Sequence, residues 1–281
     1  MMNYREILQY GEDFLKKEDI SEYKNDAFIL LEYVFNITRT WYFIHKEDKA
    51  DIKNIESYKD CLKKRSEKIP VQYITGTQEF MGYSFYVDER VLIPRQDTEV
   101  VVETAINLLK DYRNPNILDM CTGSGCIAIS MNKLIRDSNV VAADISSDAL
   151  EVAKKNNTNL NTDVCFVKSD LFSDIDNSMK FHMIISNPPY IPTKDIETLM
   201  PEVRIHEPYL ALDGKDDGLI FYKKICNKAS EYMNPQGILI FEIGYDQGKD
   251  VASIMDNNGF THIKIKKDLA GLDRIVYGIR C

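Results

Sequence analysis

The tetrapeptide Asn187-Pro188-Pro189-Tyr190 carries the residues of this sequence best suited to hold a planar NH2 group. The side-chain carbonyl oxygen of Asn187 can accept one hydrogen bond from such a group, and the backbone carbonyl of Pro188 can accept a second. Both prolines have a fixed φ and restrict the residue before them, so the acceptors are held in place before a substrate arrives. Tyr190 adds a flat face for a planar amide or base. We predict that all four residues bind the substrate, and that Asn187, Pro188 and Tyr190 are catalytic.

A simpler interpretation of Pro-Pro-Tyr is a strand that ends in a proline turn and places a tyrosine in the core. The preceding asparagine and the apolar run Met183-Ile184-Ile185, which predicts a buried strand, favour the binding site. The amino group of adenine and the NH2 of an amide side chain are equally suitable ligands for these acceptors.

A second candidate site is the segment from Ile117 to Ala128, which is typical of a strand, a glycine loop and the start of a helix. Gly123 and Gly125 let the backbone approach a ligand closely, and the helix N-terminus adds a positive dipole end. The spacing also satisfies the dinucleotide pattern G-x-G-x-x-G/A, which alone is a weak signal.

Two acidic residues lie at the ends of the next two predicted strands, Asp144 as the last residue of one and Asp170 shortly after the other. Asp144 lies where a carboxylate can accept hydrogen bonds from ribose hydroxyls, or where it can cap the helix that starts near Ser147. Asp170 is placed to reach an adenine amino group, or is a simple turn residue. The ligand indicated is an adenosine compound, either a nicotinamide dinucleotide or S-adenosylmethionine. Hydride transfer needs a positioned acid or base, whereas methyl transfer from a sulfonium mainly needs orientation, so Asn-Pro-Pro-Tyr favours S-adenosylmethionine.

The elements that position these residues fall into three parts. Helical spacing of apolar residues from Tyr4 to about Lys68 predicts a small helical domain, with Ser21 as the N-cap of its second helix. Aromatic and β-branched runs then predict a hairpin with strands Phe80–Val87 and Val91–Ile93, separated by residues 88–90.

After Pro94, Asp97 or Thr98 is predicted to cap a helix, and apolar strands then alternate with amphipathic helices. The predicted strands are 117–121, 140–144, 164–167, 183–186, 238–243, 262–265 and 274–279, and the predicted helices are 125–134, 149–160, 218–233 and 248–255. This alternation predicts an α/β domain with a doubly wound, mostly parallel sheet. The last two strands are too close for a helical crossover and are expected to be antiparallel.

Composition narrows the function further. With 281 residues, 44% hydrophobic and 28% charged, the chain is typical of a soluble protein of about two domains. It lacks a membrane-spanning apolar stretch and a signal-peptide pattern, so we expect a cytoplasmic protein without membrane contact. Its six scattered cysteines predict reduced thiols and no metal site. The formal net charge of −9 disfavours an extended grip on nucleic acid, and no direct nucleic-acid contact is expected.

Taken together, these residues resemble class I S-adenosylmethionine-dependent methyltransferases, and more closely the HemK/PrmC family of peptide chain release factor N5-glutamine methyltransferases. The resemblance covers nearly the whole chain. The motifs that carry it, beyond the glycine loop, are Gln72-Tyr73-Ile74-Thr75-Gly76, Val91-Leu92-Ile93-Pro94-Arg95-Gln96-Asp97-Thr98-Glu99, Asn187-Pro188-Pro189-Tyr190-Ile191-Pro192, Glu207-Pro208 with Ala211-Leu212, Asp217-Gly218-Leu219 and Phe241-Glu242-Ile243-Gly244. Asn-Pro-Pro-Tyr alone is shared with adenine-N6 DNA methyltransferases, whereas Pro-Arg-x-Asp-Thr-Glu is far more specific.

Three positions depart from the family pattern. Cys121 and Lys215 stand where glycine is usual or common, and Gln96 stands where the family usually has a second proline. Cys121 is small, so we interpret it as tolerated in the methionine pocket.

The resemblance implies a helical N-terminal domain (residues 1–75) for substrate recognition, a β-hairpin linker (76–95) and a Rossmann-like methyltransferase domain (96–281). It implies methyl transfer from S-adenosylmethionine to the glutamine amide nitrogen of the Gly-Gly-Gln loop of class 1 release factors, with S-adenosylhomocysteine as the product. The residues implied to contact the cofactor are Cys121, Thr122, Gly123, Ser124, Gly125, Asp144, Asp170, Leu171 and Asn187.

Three alternatives remain open at this stage. The same site suits a glutamine methyltransferase for a ribosomal protein, or an adenine methyltransferase that flips its base out of a nucleic acid. The third is a noncatalytic binding module that retains the fold.

Overall fold

The computed structural model describes residues 2–281. In chain order the elements are α1 (Tyr4–Lys17), α2 (Tyr23–Phe35), α3 (Arg39–His45), α4 (Ile52–Ser66), α5 (Val71–Thr75), β1 (Thr77–Phe80), β2 (Tyr83–Tyr86), α6 (Gln96–Leu109), β3 (Asn116–Met120), α7 (Cys126–Leu134), β4 (Asn139–Asp144), α8 (Ser147–Asn159), β5 (Cys165–Lys168), β6 (Phe181–Ser186), α9 (Thr193–Ile196), α10 (Pro201–His206), α11 (Tyr209–Leu212), α12 (Ile220–Tyr232), β7 (Met233–Glu242), α13 (Gly248–Asn257), β8 (Phe260–Lys267) and β9 (Asp273–Arg280). They form two compact units. One contains the residues up to Thr77 together with Met200–His206, and the other contains Gln78–Leu199 and Glu207–Cys281.

The smaller unit is helical and has its own apolar core. Tyr58 is fully buried there, and its hydroxyl donates to the Ala27 carbonyl oxygen at 2.9 Å. Asn3 and Glu6 form a capping box at the start of α1. The predicted cap at Ser21 is wrong, because α2 begins two residues later with Glu22 at its N-cap and no side-chain cap bond.

A buried ion pair ties α10 to the helices of this unit. The Arg65 side chain donates to Asp26 at 2.7 Å through Nε and to Glu202 at 2.9 Å through Nη2. His206 is within 3.1 Å of the Glu67 carbonyl oxygen. The sequence contains no local signal for this, since Arg65 and Glu202 are 137 positions apart.

The hairpin turn lies within the first of the two runs from which the hairpin was predicted, since β1 ends at Phe80 and β2 begins at Tyr83. β1 and β2 pair around Met81 and Gly82, which both have positive φ, at 52° and 76°. A two-residue turn of that kind is favoured between paired strands. Its first position is usually Asn, Asp or Gly, so the methionine here gives no sequence signal for the turn. The predicted second strand, Val91–Ile93, is therefore wrong, although Val91 and Ile93 are buried.

Seven strands form the sheet of the larger unit, in the order β5-β4-β3-β6-β7-β9-β8. The first five are parallel, and β9 is antiparallel to both β7 and β8. This confirms the predicted α/β class, a Rossmann-like, mostly parallel sheet with an antiparallel last strand. The order places β3 beside β6, so the two chain segments that follow these strands start next to each other.

Alternate residues of the central strands pack against helices on opposite faces of the sheet. Ile117 and Ile185 pack with α6 and α7, whereas Leu118 and Ile184 pack with α12 and α13. This near-continuous apolar pattern is typical of parallel strands buried on both faces. Among residues 2–281 no helix is both long and apolar enough to cross a bilayer.

The start of α6 differs from its prediction. Arg95 is the N-cap and makes no side-chain cap bond, so the predicted cap at Asp97 or Thr98 is wrong. The Thr98 hydroxyl instead donates to the Glu242 carboxylate at 2.6 Å, 144 positions away in sequence.

Candidate functional site

A cavity of about 390 Å³ opens where β3, β4, β5 and β6 end. Its walls include Cys121 to Ser124 after β3, Asp144 at the end of β4, Asp170 and Leu171 after β5, and Asn187 and Pro189 after β6. In doubly wound sheets, ligands bind at this carboxyl edge where the strand order reverses, which here is between β3 and β6. The structure thus gathers most of the predicted site residues around one cavity.

The glycine loop is held by two carboxylates. Asp119, fully buried in β3, accepts from the Thr122 hydroxyl at 2.5 Å and from the Ala128 N–H at 3.1 Å. Asp144 accepts from the Gly123 N–H at 2.9 Å. Cys121 has φ of +63°, and Lys215 has φ of +65°, so both departures from glycine occur in left-handed backbone. The usual glycine at these positions is therefore explained by conformation.

Asp144 is not a helix cap. Its second oxygen accepts from the Ser146 N–H at 2.9 Å, and Ser146 itself is the N-cap of α8. Each carboxylate oxygen has further lone-pair capacity for ribose hydroxyls. Burial raises the pKa of Asp144, and the two backbone N–H bonds oppose that rise.

Three other predicted cofactor residues differ in their surroundings. Asp170 is exposed at the cavity wall, and Leu171 beside it has a positive φ of 52°. Gly125 lies outside the cavity lining, where a Cβ would come within 3.1 Å of the Ala153 Cβ. Gly125 thus permits the close packing of α7 on α8.

The tetrapeptide contributes to the cavity unequally. Asn187 and Pro189 line it, whereas Pro188 is buried and Tyr190 is partly buried outside the lining. The chain after it is tied to residues 212–214, since the Ile191 N–H donates to the Leu212 carbonyl at 3.1 Å and the Gly214 N–H donates to the Ile191 carbonyl at 2.8 Å. The end of the cavity beside Asn187, where the NH2-bearing substrate was predicted to bind and which we call the acceptor end, is therefore built on a firmly held loop.

Three residues near this loop, Gln247, Glu242 and Thr98, were not predicted as site residues. The Gln247 Nε2 donates to the Tyr190 carbonyl oxygen at 3.0 Å, and its Oε1 accepts from the Gly244 N–H at 2.9 Å. Glu242 and Thr98 form the buried pair described above. The motif Phe241-Glu242-Ile243-Gly244 was the only part of the sequence that pointed to Glu242. The sheet order is needed to show that this motif lies beside the strand that ends before Asn187.

One wall of the cavity combines the charged side chain of Arg95 with apolar side chains. Arg95 donates through Nη2 to both oxygens of the buried Glu207 carboxylate, at 2.6 and 2.7 Å. Leu210 and Phe221 also line the cavity. Charged and apolar side chains therefore meet on this wall.

The residues present fit S-adenosylmethionine. The volume of the cavity is within the usual range for ligand-binding pockets, roughly 300 to 1,000 Å³. Asp144 and Asp170 supply negative charge for a cationic ligand, and Gly123 permits close approach of the backbone. Among residues 2–281 no cluster of His, Cys, Asp and Glu side chains is arranged to hold a metal ion.

Family models match both parts of the chain. Residues 6–76 match the PrmC N-terminal domain, and residues 98–215 match the methyltransferase small domain.

Solved structures of methyltransferases share the fold. The hMettl16 catalytic domain in complex with the MAT2A 3'UTR hairpin 6 is 14% identical, with a TM-score of 0.58, covering 86% of this chain and 95% of that one. The Thermus thermophilus 16S rRNA N2 G1207 methyltransferase RsmC, in complex with AdoMet and guanosine, is 13% identical with a TM-score of 0.52, covering 73% of this chain and 50% of that one. At such identities the likeness concerns the fold alone.

Curated relatives are similar over most or all of their length. The release factor glutamine methyltransferase of Clostridium acetobutylicum is 37% identical over 282 residues, covering 99% of each chain. That of Fusobacterium nucleatum is 40% identical over 275 residues, covering 96% of this chain and 77% of the relative. With both family domains and the site geometry in place, the chain belongs to the release factor glutamine methyltransferase family.

Proposed function

We propose that this protein transfers a methyl group from S-adenosylmethionine to the side-chain amide nitrogen of the glutamine in the Gly-Gly-Gln loop of class 1 release factors. The observation that carries the proposal is the placement of the Asn187 side chain in the same cavity as the glycine loop and Asp144. Family membership favours glutamine over adenine as the NH2-bearing group.

S-adenosylmethionine supplies, when bound, a methyl group on an electrophilic sulfonium. Asp144 would accept from the ribose hydroxyls, the Cys121 to Gly125 loop would approach the cofactor with its backbone, and Asp170 with Leu171 would hold the adenine end. The roles of these residues are proposed from their positions and from the resemblance.

The acceptor requires positioning more than acid–base catalysis. An amide nitrogen is a poor nucleophile because its lone pair is delocalised into the carbonyl. Asn187 Oδ1 and the Pro188 carbonyl would accept the two N–H bonds and orient the lone pair, while Tyr190 restrains the amide plane from beside the site. These acceptors would also favour the positive charge that develops on nitrogen, and the excess proton would leave to water afterwards.

The helical domain, residues 1–75, would recognise the release factor, with residues 76–95 as the linker and 96–281 as the catalytic domain. We place the reaction in the cytoplasm, where release factors act, without direct nucleic-acid or membrane contact.

The test is mass spectrometry of a release factor incubated with this protein and S-adenosylmethionine. We expect a gain of about 14 Da on the Gly-Gly-Gln peptide, the mass of one CH2 group, located at the glutamine side chain by fragmentation. A release factor with Gly-Gly-Glu in that loop is the matched control and should gain nothing. Methylation of an oligonucleotide or a ribosomal protein instead of the release factor would contradict the proposal and support the corresponding alternative.

Asp144→Ala is expected to weaken S-adenosylmethionine binding roughly 10- to 150-fold, because hydrogen bonds to a charged group contribute about 1.5 to 3 kcal/mol. The loss includes the support that Asp144 gives to the Gly123 N–H. Isothermal titration calorimetry measures it, with the exposed Asp163→Ala as the matched control. Equal affinities of the two variants would rule out Asp144 as a cofactor residue.

A further inference from the structure

Glu242 is a buried carboxyl group beside the acceptor end of the cavity that the proposed reaction does not use. It is the last residue of β7 and is only 2% exposed. Ser186 pairs with Phe241 in the parallel register of β6 and β7. The next residues, Asn187 and Glu242, therefore lie side by side at the ends of these neighbouring strands.

The carboxyl group of Glu242 meets two polar side chains. Thr98 Oγ1 donates to its Oε2 at 2.6 Å. The register of β6 and β7 places Asn187 beside the same carboxyl group, and the Asn187 side chain lowers the pKa of Glu242. A side-chain amide stabilises a neighbouring carboxylate when its NH2 faces the negative charge, because the amide oxygen would repel it.

This contact decides which end of the Asn187 amide is free. A carboxylate only accepts hydrogen bonds, and it would repel the Asn187 Oδ1. With the NH2 directed to Glu242, Oδ1 remains available on the other side of the planar amide. We propose that Glu242, held by Thr98, is a positioning residue that orients the Asn187 amide so that its carbonyl oxygen is presented to the acceptor NH2 group. This inference rests on the proposed function, since only an NH2-bearing acceptor requires that orientation.

The same arrangement depends on the ionisation of Glu242. A protonated Glu242 can donate to Oδ1, which would turn the Asn187 NH2 toward the acceptor NH2, where two donors face each other. Burial raises the pKa of Glu242 to about 7 and Asp97 contributes to the rise, while Thr98, Arg274 and Asn187 oppose it. Tyr190 and Tyr222 also face the group, and their own raised pKa values keep them neutral near pH 7. The ionised form is competent, so methyl transfer should increase as pH rises through the pKa of Glu242.

The experiment measures kcat/KM for the release factor at saturating S-adenosylmethionine from about pH 5.5 to about pH 9. The wild type is expected to lose roughly tenfold in rate for each pH unit below a midpoint near 7. This fall in rate at low pH is the acidic limb of the pH profile. Glu242→Gln should abolish the limb, because glutamine does not ionise. Thr98→Val should move the midpoint up by about one pH unit or more, because it removes a donor that favours the carboxylate.

Asp119→Asn is the matched control. Burial also raises the pKa of Asp119 to about 7, but its partners are Thr122 in the glycine loop and Ala128 in α7. This variant should keep the limb whatever its absolute rate, and the cofactor's own amino group titrates equally in every variant.

The outcomes separate the two proposals. Absence of release factor methylation by the wild type would overturn the proposed function and this inference with it. Methylation with a limb that survives in Glu242→Gln, or that vanishes in Asp119→Asn, would overturn the inference alone. Should Glu242→Gln fail to fold, an unshifted midpoint in Thr98→Val would overturn it equally.

Discussion

Replacing Asn187 with alanine is expected to reduce methyl transfer to the release factor by about 10²- to 10³-fold. That is the usual cost of removing one preorganised hydrogen-bonding group that acts on charge developing at the reacting centre. The structure supports a large effect, because Asn187 lines the cavity and its amide contacts Glu242. The expected change is in kcat, with a much smaller change in S-adenosylmethionine affinity measured by calorimetry.

The matched control is Asn227→Ala on the exposed face of α12, which should transfer methyl groups at the wild-type rate. An Asn187→Ala protein that is folded, binds the cofactor and methylates normally would refute the role assigned to the tetrapeptide. Equal losses in both variants would show that the measurement reports stability.

Gly218→Ala is expected to lower the rate of methyl transfer about 100-fold, because it would displace the backbone of the Asn187–Tyr190 segment. A Cβ at this position would overlap the Tyr190 carbonyl oxygen and come within 2.6 Å of Gln247 Nε2. These two groups form the hydrogen bond that holds the loop. A displacement of about 1 Å at a catalytic centre can cost about 100-fold in rate. Steady-state rates measure the effect, with cofactor affinity expected to change less.

Gly259→Ala separates this displacement from ordinary backbone strain. Gly259 has φ of +81°, close to the +72° of Gly218, but a Cβ there meets nothing within 4 Å. Both variants should lose a similar amount of stability from the left-handed backbone, about 1 kcal/mol. Only Gly218→Ala should lose activity, and similar rates for the two variants would contradict the proposed function of the Tyr190 support.

Local pattern was sufficient for the elements of the sheet and insufficient for several turns and caps. Strands such as β3 and β6 were predicted within two residues of their bounds, because a buried parallel strand is an uninterrupted apolar run. The hairpin turn was misplaced because Met81 adopts a backbone that methionine rarely takes. Thr98 was assigned to a cap because its partner, Glu242, is distant in sequence.

By itself the sequence determined the chemical groups available to the site: an amide beside two prolines, a glycine loop, and acidic residues that follow apolar strands. These depend on residue type and short-range spacing, which a single chain displays directly. The tertiary structure decided which of these groups meet. Only the strand order, a consequence of long-range packing, places the glycine loop beside Asn187 and a buried carboxylate against its amide. The orientation that we propose for that amide depends on the pairing between β6 and β7, and no local pattern encodes it.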